Sequence, residues 1–225
     1  MMGGIMDSIR IALPKGRNLK PSVALFKAIG HDFSEALGDS RKLIFHAPDS
    51  AASAIIVRDA DVPTYVENGA ADFGVSGADQ LAEQRRDLYE PVDLGFGYCR
   101  VVVAEPLELS ERDNPKDWVH LKVATKFVGI TERYFAERGV QIEIVKLYGS
   151  IELAPLVGLA DRIVDLVSTG ATLKQNGLVE VEQIMEATAR LVVNRASMRT
   201  KRETVGEIIA AVTAALPRLD LPRHA

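Results

Sequence analysis

The chain has 225 residues, 47% of them hydrophobic and 26% charged, with a formal net charge of −4. That length buries a sizeable core as one large domain or two small ones, and the mild acidity argues against polyanion binding, leaving room only for a local basic pocket. The single cysteine, Cys99, excludes an intrachain disulfide and a zinc cluster, and "MMGGIMDSIRIALPKGR" has neither region of an export signal. The longest apolar helical run, "IIAAVTAAL", falls far short of a membrane span, so the expected setting is a reducing cytoplasm, with no nucleic acid or membrane as partner.

Short apolar runs alternate with helix-period segments and glycine or proline punctuation, the α/β pattern. The first strand is expected at "SIRIAL" (8–13) and runs into "LPKGRN", where Lys15 and Arg17 flank Gly16 just before a helix. Two cations on a glycine turn at a strand's C-terminal end make a candidate anion site, and a solvated loop is the plainer alternative. Strands at "LIFH" (43–46) and "AIIV" (54–57) follow, the second running directly into Arg58. "DADVPTYVENG" reads as a helix with Asp61 as cap, Pro63 in its first turn and Gly69 as its stop. "DFGV" (72–75) then leads into "GADQ", which puts Gly77 and Asp79 at another strand end. In open α/β sheets such ends line the ligand crevice, so the recurrence of glycine and charge there strengthens each candidate.

"GFG" (95–97) reads as a strand connection or interdomain hinge, and Cys99, opening the strand "YCRVVVAE" (98–105), as a small core residue. The polar stretch "LELSERDNPKDWVH" (107–120) is expected to be a surface excursion near a domain boundary. Beyond it come strands "LKVAT" (121–125), "VQIEIVKL" (140–147) and "RIVDLV" (162–167), with another in 180–194. Helix "ITERYFAERGV" ends at Gly139, and "KRETVGEIIAAVTAALP" stops before Pro217. Strand-loop-helix units on both sides of 107–120 suggest two α/β lobes with a cleft where strand ends face each other. His31, His46, His120 and His224 show no ligand spacing, so neither a protein-built metal site nor a histidine triad is expected.

One segment carries more chemistry than the rest. In "DLVSTGATLKQNGL" (165–178) an acidic residue ends an apolar run, and hydroxyls and a glycine lead into a helix-compatible segment. A strand entering a helix through small polar residues points several backbone N–H groups at one spot, which suits a phosphate. Thr169 and Thr172 supply hydroxyls, Gly170 allows close backbone approach, and Lys174 lies one turn on. No P-loop pattern occurs, and an ordinary strand-turn-helix with a threonine cap is the plain alternative. Glu152 and Asp165, thirteen residues apart, suit the two hydroxyls of a ribose whose phosphate sits on the turn. Glu152 also reads as a helix N-terminal charge, whereas Asp165 interrupts an apolar strand and needs a partner.

The stretch "ELAPLVGLADRIVDLVSTGATL" (152–173) resembles the signature of ATP phosphoribosyltransferases, position by position at Glu152, Gly158, Ala160, Ile163, Asp165, Thr169, Gly170, Thr172 and Leu173. The resemblance extends to "IALPKGR", "VRDADVPTYVENGAADFGVSGAD", "VATKF" and "ARLVVNRAS", nearly the whole chain. It implies two lobes like those of type II periplasmic binding proteins with the active site in the interlobe cleft, here 1–98 plus 185–225 and 99–184. It implies transfer of the ribosyl group of 5-phosphoribosyl-1-pyrophosphate to N1 of ATP, releasing pyrophosphate, as the first step of histidine biosynthesis. Thr169, Gly170, Ala171 and Thr172 would hold the 5-phosphate and Glu152 with Asp165 the ribose hydroxyls. Lys15, Arg17 and Arg58 are the expected catalytic cations for pyrophosphate and triphosphate, with Gly16, Gly77 and Asp79 beside them and Mg²⁺ bound mainly through the substrates' phosphates. A chain that stops after one terminal helix is expected to be the short form, working with a regulatory subunit resembling histidyl-tRNA synthetase and forming a homo-oligomer when alone. A non-catalytic two-lobed ligand-binding protein is the alternative from another class. Base-salvage phosphoribosyltransferases usually pair adjacent acidic residues, which this chain does not.

Overall fold

The computed structural model of the chain describes residues 8–39 and 41–221. It divides into two units, one holding the described residues up to Gly97 and again from Thr188, the other running from Tyr98 to Ala187. Its strands are β1 (Ile9–Pro14), β2 (Ile44–His46), β3 (Ala52–Val57), β4 (Phe73–Gly77), β5 (Tyr89–Asp93), β6 (Cys99–Pro106), β7 (His120–Thr125), β8 (Gln141–Lys146), β9 (Arg162–Val167), β10 (Leu178–Ala187) and β11 (Ala189–Val193). The helices are α1 (Leu19–Ala28), α2 (Val62–Glu67), α3 (Ala78–Gln84), α4 (Leu107–Ser110), α5 (Val128–Ala136), α6 (Leu153–Leu156), α7 (Ala171–Gln175), α8 (Arg195–Thr200) and α9 (Arg202–Ala215).

The first unit is built on a six-stranded sheet ordered β2-β3-β1-β4-β11-β5. Alternate residues of a strand face opposite sides, and here both sides are covered. Ile11 and Leu13 of β1 pack with Phe26 of α1 and with Val205 and Val212 of α9, while Ala12, between them, packs with Val62 and Val66 of α2. The α2 side tolerates only small residues: a Cβ on Gly74 would lie 2.7 Å from methyl carbons of both Val62 and Val66. Helix α2 starts and stops where the sequence places it, with Pro63 in its first turn and Gly69 at φ 72° beyond its end. Asp61 holds the cap position but makes no side-chain cap bond, because a 3-10 turn over Asp59–Asp61 leads the chain in.

Asp72, at the foot of β4, ties four elements together. It accepts from the Arg10 backbone N–H at 2.9 Å, the Ser197 hydroxyl at 2.7 Å and the Lys201 ammonium at 2.9 Å. The C-terminal helices are thereby fixed to β1 and β4.

The second unit carries a five-stranded sheet ordered β10-β6-β9-β7-β8, with β7 parallel to β8 and β9, and β6 antiparallel to β9 and β10. Residues 107–120 lie inside this unit. Their polar composition reads as a boundary excursion, yet Trp118 is only 8% exposed and donates through Nε1 to Asp113. Asp113 in turn meets Arg162 at 2.6 Å, and Arg162 meets the buried Glu105 at 2.7 Å. Asp113 of the segment therefore serves to neutralise a buried guanidinium. The chain leaves the first unit at Gly97, which with Gly95, both at φ near 70°, flanks the fully buried Phe96.

Candidate active site

In the first unit β1 lies between β3 and β4 and runs parallel to both, so the C-terminal ends of all three meet one edge. In open α/β sheets that is where a ligand crevice forms. The structure brings Lys15, Gly16 and Arg17 (after β1), Arg58 (after β3), and Gly77 and Asp79 (at the end of β4) to this edge. The Lys15 N–H donates to the Val57 carbonyl at 2.8 Å, which pins the turn beside Arg58, and Gly16 takes φ 93°, where a side chain would be strained. Lys15, Arg17 and Arg58 are exposed, and the Arg17 guanidinium reaches the Gly97 carbonyl at 3.3 Å. Asp79 differs from these. It is 3% exposed, accepts from Gln80 at 3.0 Å, and its Oδ1 would lie 2.1 Å from a Cβ on Gly77. Gly77 is required because Asp79 folds back over it.

Lys15 also lines a cavity of about 420 Å³ together with Arg41 and Lys42, above a floor of Leu19, Phe45 and Ile56. Sequence reasoning missed Arg41 and Lys42. The available signal was "RKLIFH", a basic pair entering an edge strand, but only the β2–β3 pairing carries that strand next to the Lys15 turn.

In the second unit a pocket of about 260 Å³ is lined by Glu152 and the unbroken run Asp165–Leu173. Strand β9 ends at Val167, Gly170 turns the chain at φ 76°, and α7 begins at Ala171. The cap position belongs to Gly170 and not to a threonine. Thr169 and Thr172 are instead exposed, the Thr169 hydroxyl accepting from the Ala171 N–H at 3.4 Å. Behind the turn Arg100 grips Glu180 with two bonds of 2.6 and 2.9 Å, and Glu180 would lie 3.4 Å from a Cβ on Gly170. Glu152 occupies the N-cap of α6, anchored by the buried Ile151 and Ala154 on either side.

Asp165 has the partner its sequence context demands. Lys126, directly after β7, sets its ammonium 3.5 Å from Asp165 Oδ1, an oxygen that is buried and makes no hydrogen bond. Burial raises the Asp165 pKa, the Lys126 charge and a Leu166 backbone bond pull it back, and Glu152 adds to the rise. Lys126 was missed as a site residue because its pairing depends on β7 lying beside β9.

The histidines stand apart. His31 is buried on Ser50 at 2.9 Å, its pKa lowered by that burial, His46 and His120 are exposed, and His224 lies outside the described residues, as does the stretch expected to lack an export signal before Ser8. Cys99 is buried. No helix among the described residues is long and apolar enough to cross a membrane.

A family profile described as HisG, ATP phosphoribosyltransferase, matches residues 58–214. An ATP phosphoribosyltransferase from Citrifermentans bemidjiense is 61% identical over 203 residues, covering 90% of this chain and 96% of that one. Among solved structures, the ATP phosphoribosyl transferase (HisG:HisZ) complex from Thermotoga maritima matches with a TM-score of 0.81 at 34% identity, covering 94% of this chain and 100% of its own. The substrate binding protein of an amino acid ABC transporter matches with a TM-score of 0.56 at 15% identity, covering 93% of each chain, a likeness of fold alone. The two lobes are those of type II periplasmic binding proteins.

Proposed function

The chain belongs to the ATP phosphoribosyltransferase family, the pentosyltransferases that open histidine biosynthesis, and from that premise we propose how its own residues perform the reaction. Adenine N1 of ATP attacks C1 of 5-phosphoribosyl-1-pyrophosphate and pyrophosphate leaves. The alternative of a non-catalytic ligand binder is not favoured, since the solute-binding likeness is one of fold while relatives at 61% identity are enzymes.

The observation that carries the assignment is the pocket formed by Glu152 and the Asp165–Leu173 run. Its backbone N–H groups at Gly170, Ala171 and Thr172 and the hydroxyls of Thr169 and Thr172 hold the 5-phosphate. The Glu152 and Asp165 carboxylates accept the ribose hydroxyls. Bond breaking at C1 runs ahead of bond making, so the chief demand is to stabilise departing pyrophosphate and align the base. Lys15, Arg17 and Arg58 on the first unit take the pyrophosphate and triphosphate charge, with Gly16 letting backbone approach and Gly77 leaving room for Asp79. Asp79 acts by shaping that turn, as its burial indicates. Adenine N1 is unprotonated at neutral pH and needs no strong base.

Mg²⁺ would be held mainly by the substrates' phosphates, and it would supply charge neutralisation on the leaving pyrophosphate beside Lys15, Arg17 and Arg58. Among the described residues no group of three or more His, Cys, Asp or Glu gathers that could hold a metal ion. The partner we assign is a regulatory subunit resembling histidyl-tRNA synthetase, giving a hetero-oligomer, with a homo-oligomer when the chain is alone. The Thermotoga neighbour, itself part of a two-component complex, supports the hetero-oligomer, and the setting we assign to a histidine-biosynthesis enzyme is the cytoplasm. Supplying ATP, Mg²⁺ and 5-phosphoribosyl-1-pyrophosphate and following pyrophosphate release tests the reading. No release, with or without the partner subunit, would leave only a binding protein.

A further inference from the structure

We infer that Lys126 is a positioning residue for the ribosyl donor, holding Asp165 ionised and aimed at the ribose hydroxyls. The inference rests on the assignment of the Asp165–Leu173 pocket to the donor. That pocket poses an electrostatic difficulty. It must admit a sugar carrying a phosphate and a pyrophosphate, yet two carboxylates, Glu152 and Asp165, line it. Asp165 is the more exposed to the conflict, because its Oδ1 is buried and has no hydrogen-bond donor. A carboxylate taken out of water beside a second carboxylate tends to take up a proton, and protonation would turn one Asp165 oxygen into a donor and remove the charge that favours hydroxyl donors.

The charged groups that act on Asp165 are Glu152, from the cap of α6, and Lys126, from the end of β7. The neighbour opposite Asp165 on β6 is the apolar Val102. Lys126 is the one cation of this set, 3.5 Å from Oδ1. Its backbone is fixed from below. The fully buried Thr125 donates its hydroxyl to the Val164 carbonyl at 2.7 Å and accepts from the Phe127 N–H at 2.9 Å, while Thr131 caps the Phe127 carbonyl at 2.6 Å. The bonds on both neighbours leave Lys126 little freedom but that of its own side chain, whose ammonium also lies 4.8 Å from the centre of the Phe127 ring. The Lys126 side chain is 38% exposed, so replacing it opens no core cavity.

The test is titration of the full chain with 5-phosphoribosyl-1-pyrophosphate and Mg²⁺ from about pH 5 to about pH 8, on wild type, Lys126→Met, Lys126→Arg and Asp165→Asn. The donor's 5-phosphate itself titrates near pH 6, so each variant is read against wild type at the same pH. Lys126→Met is expected to weaken donor binding most at the acidic end of the range, by at most about tenfold, the equivalent of one pKa unit on Asp165, and to recover as the pH rises and Asp165 ionises unaided. Lys126→Arg is expected to restore binding, ATP affinity is expected to stay put, and the thermal midpoint of Lys126→Met is expected to fall only slightly, by the small cost of raising one carboxylate's native pKa. A loss in Lys126→Met that is the same at every pH would make Lys126 a direct substrate ligand and overturn the inference, as would no loss at all while Asp165→Asn binds poorly. Full donor affinity in Asp165→Asn would instead overturn the assignment of the pocket to the donor.

Discussion

At the scale of single residues, the pocket of the second unit was the most legible part of the chain. Glu152, Asp165, Thr169, Gly170, Ala171 and Thr172 lie within one continuous stretch, and local chain geometry is enough to gather most of them. Thr169→Ala and Thr172→Ala are therefore expected to weaken donor binding by about 1.5–3 kcal/mol each, the worth of a hydrogen bond to a charged group, and to leave ATP binding nearly unchanged. Equal losses for both substrates in a binding titration would refute the assignment. Lys126, Arg41 and Lys42 were not legible in the same way. Each reaches its place through strand pairing across the sheet, β7 with β9 and β2 with β3, and no spacing along the chain announces that.

At the scale of elements, the strands covered on both faces stood out as apolar runs, and β1, β3, β4 and β6 fall within a residue or two of where those runs lie. β5 did not stand out. "YEPVD" has one buried residue, Val92, and carries Pro91, which is tolerated because β5 is an edge strand bound only to β11. The attachment of α8 and α9 through Asp72 was equally silent, being a matter of residues more than a hundred positions apart. Although burial pushes the Asp72 pKa up, its bonds from Ser197, Lys201 and the Arg10 backbone outweigh that, and the net shift is downward. A depressed carboxylate contributes stability that is present above its unfolded pKa and lost as the pH falls through the folded one. Asp72→Asn is expected to cost about 1–3 kcal/mol at neutral pH, with the gap to wild type closing at acid pH as the native carboxylate also takes its proton. Urea midpoints at the two pH values measure it, and a gap that does not change with pH would remove the charge from the explanation. Arg162 plays the corresponding part in the second unit, between Glu105 and Asp113, where the loss of one partner strands a buried charge.

At the scale of the whole molecule, the neighbour from Thermotoga maritima is one component of a two-component assembly. If feedback sensing resides in the other component, the isolated chain is expected to turn over with little response to low histidine, and addition of the synthetase-like subunit is expected to confer strong inhibition through coupling across their interface. Histidine titrations with and without that subunit decide it, and tight inhibition of the isolated chain would place the sensor within the chain itself. The passage of the chain between units has its own implication. The Ala189 N–H donates to the Phe96 carbonyl at 2.8 Å, and Cys99 pairs with Ala187, so the first unit closes on itself where the second is inserted, and the inserted unit begins and ends at neighbouring positions. Residues 98–187 thus have the form of a cassette, a single genetic segment that an ancestral sheet protein could accept at one site without breaking its own strand order, and that recombination could exchange whole.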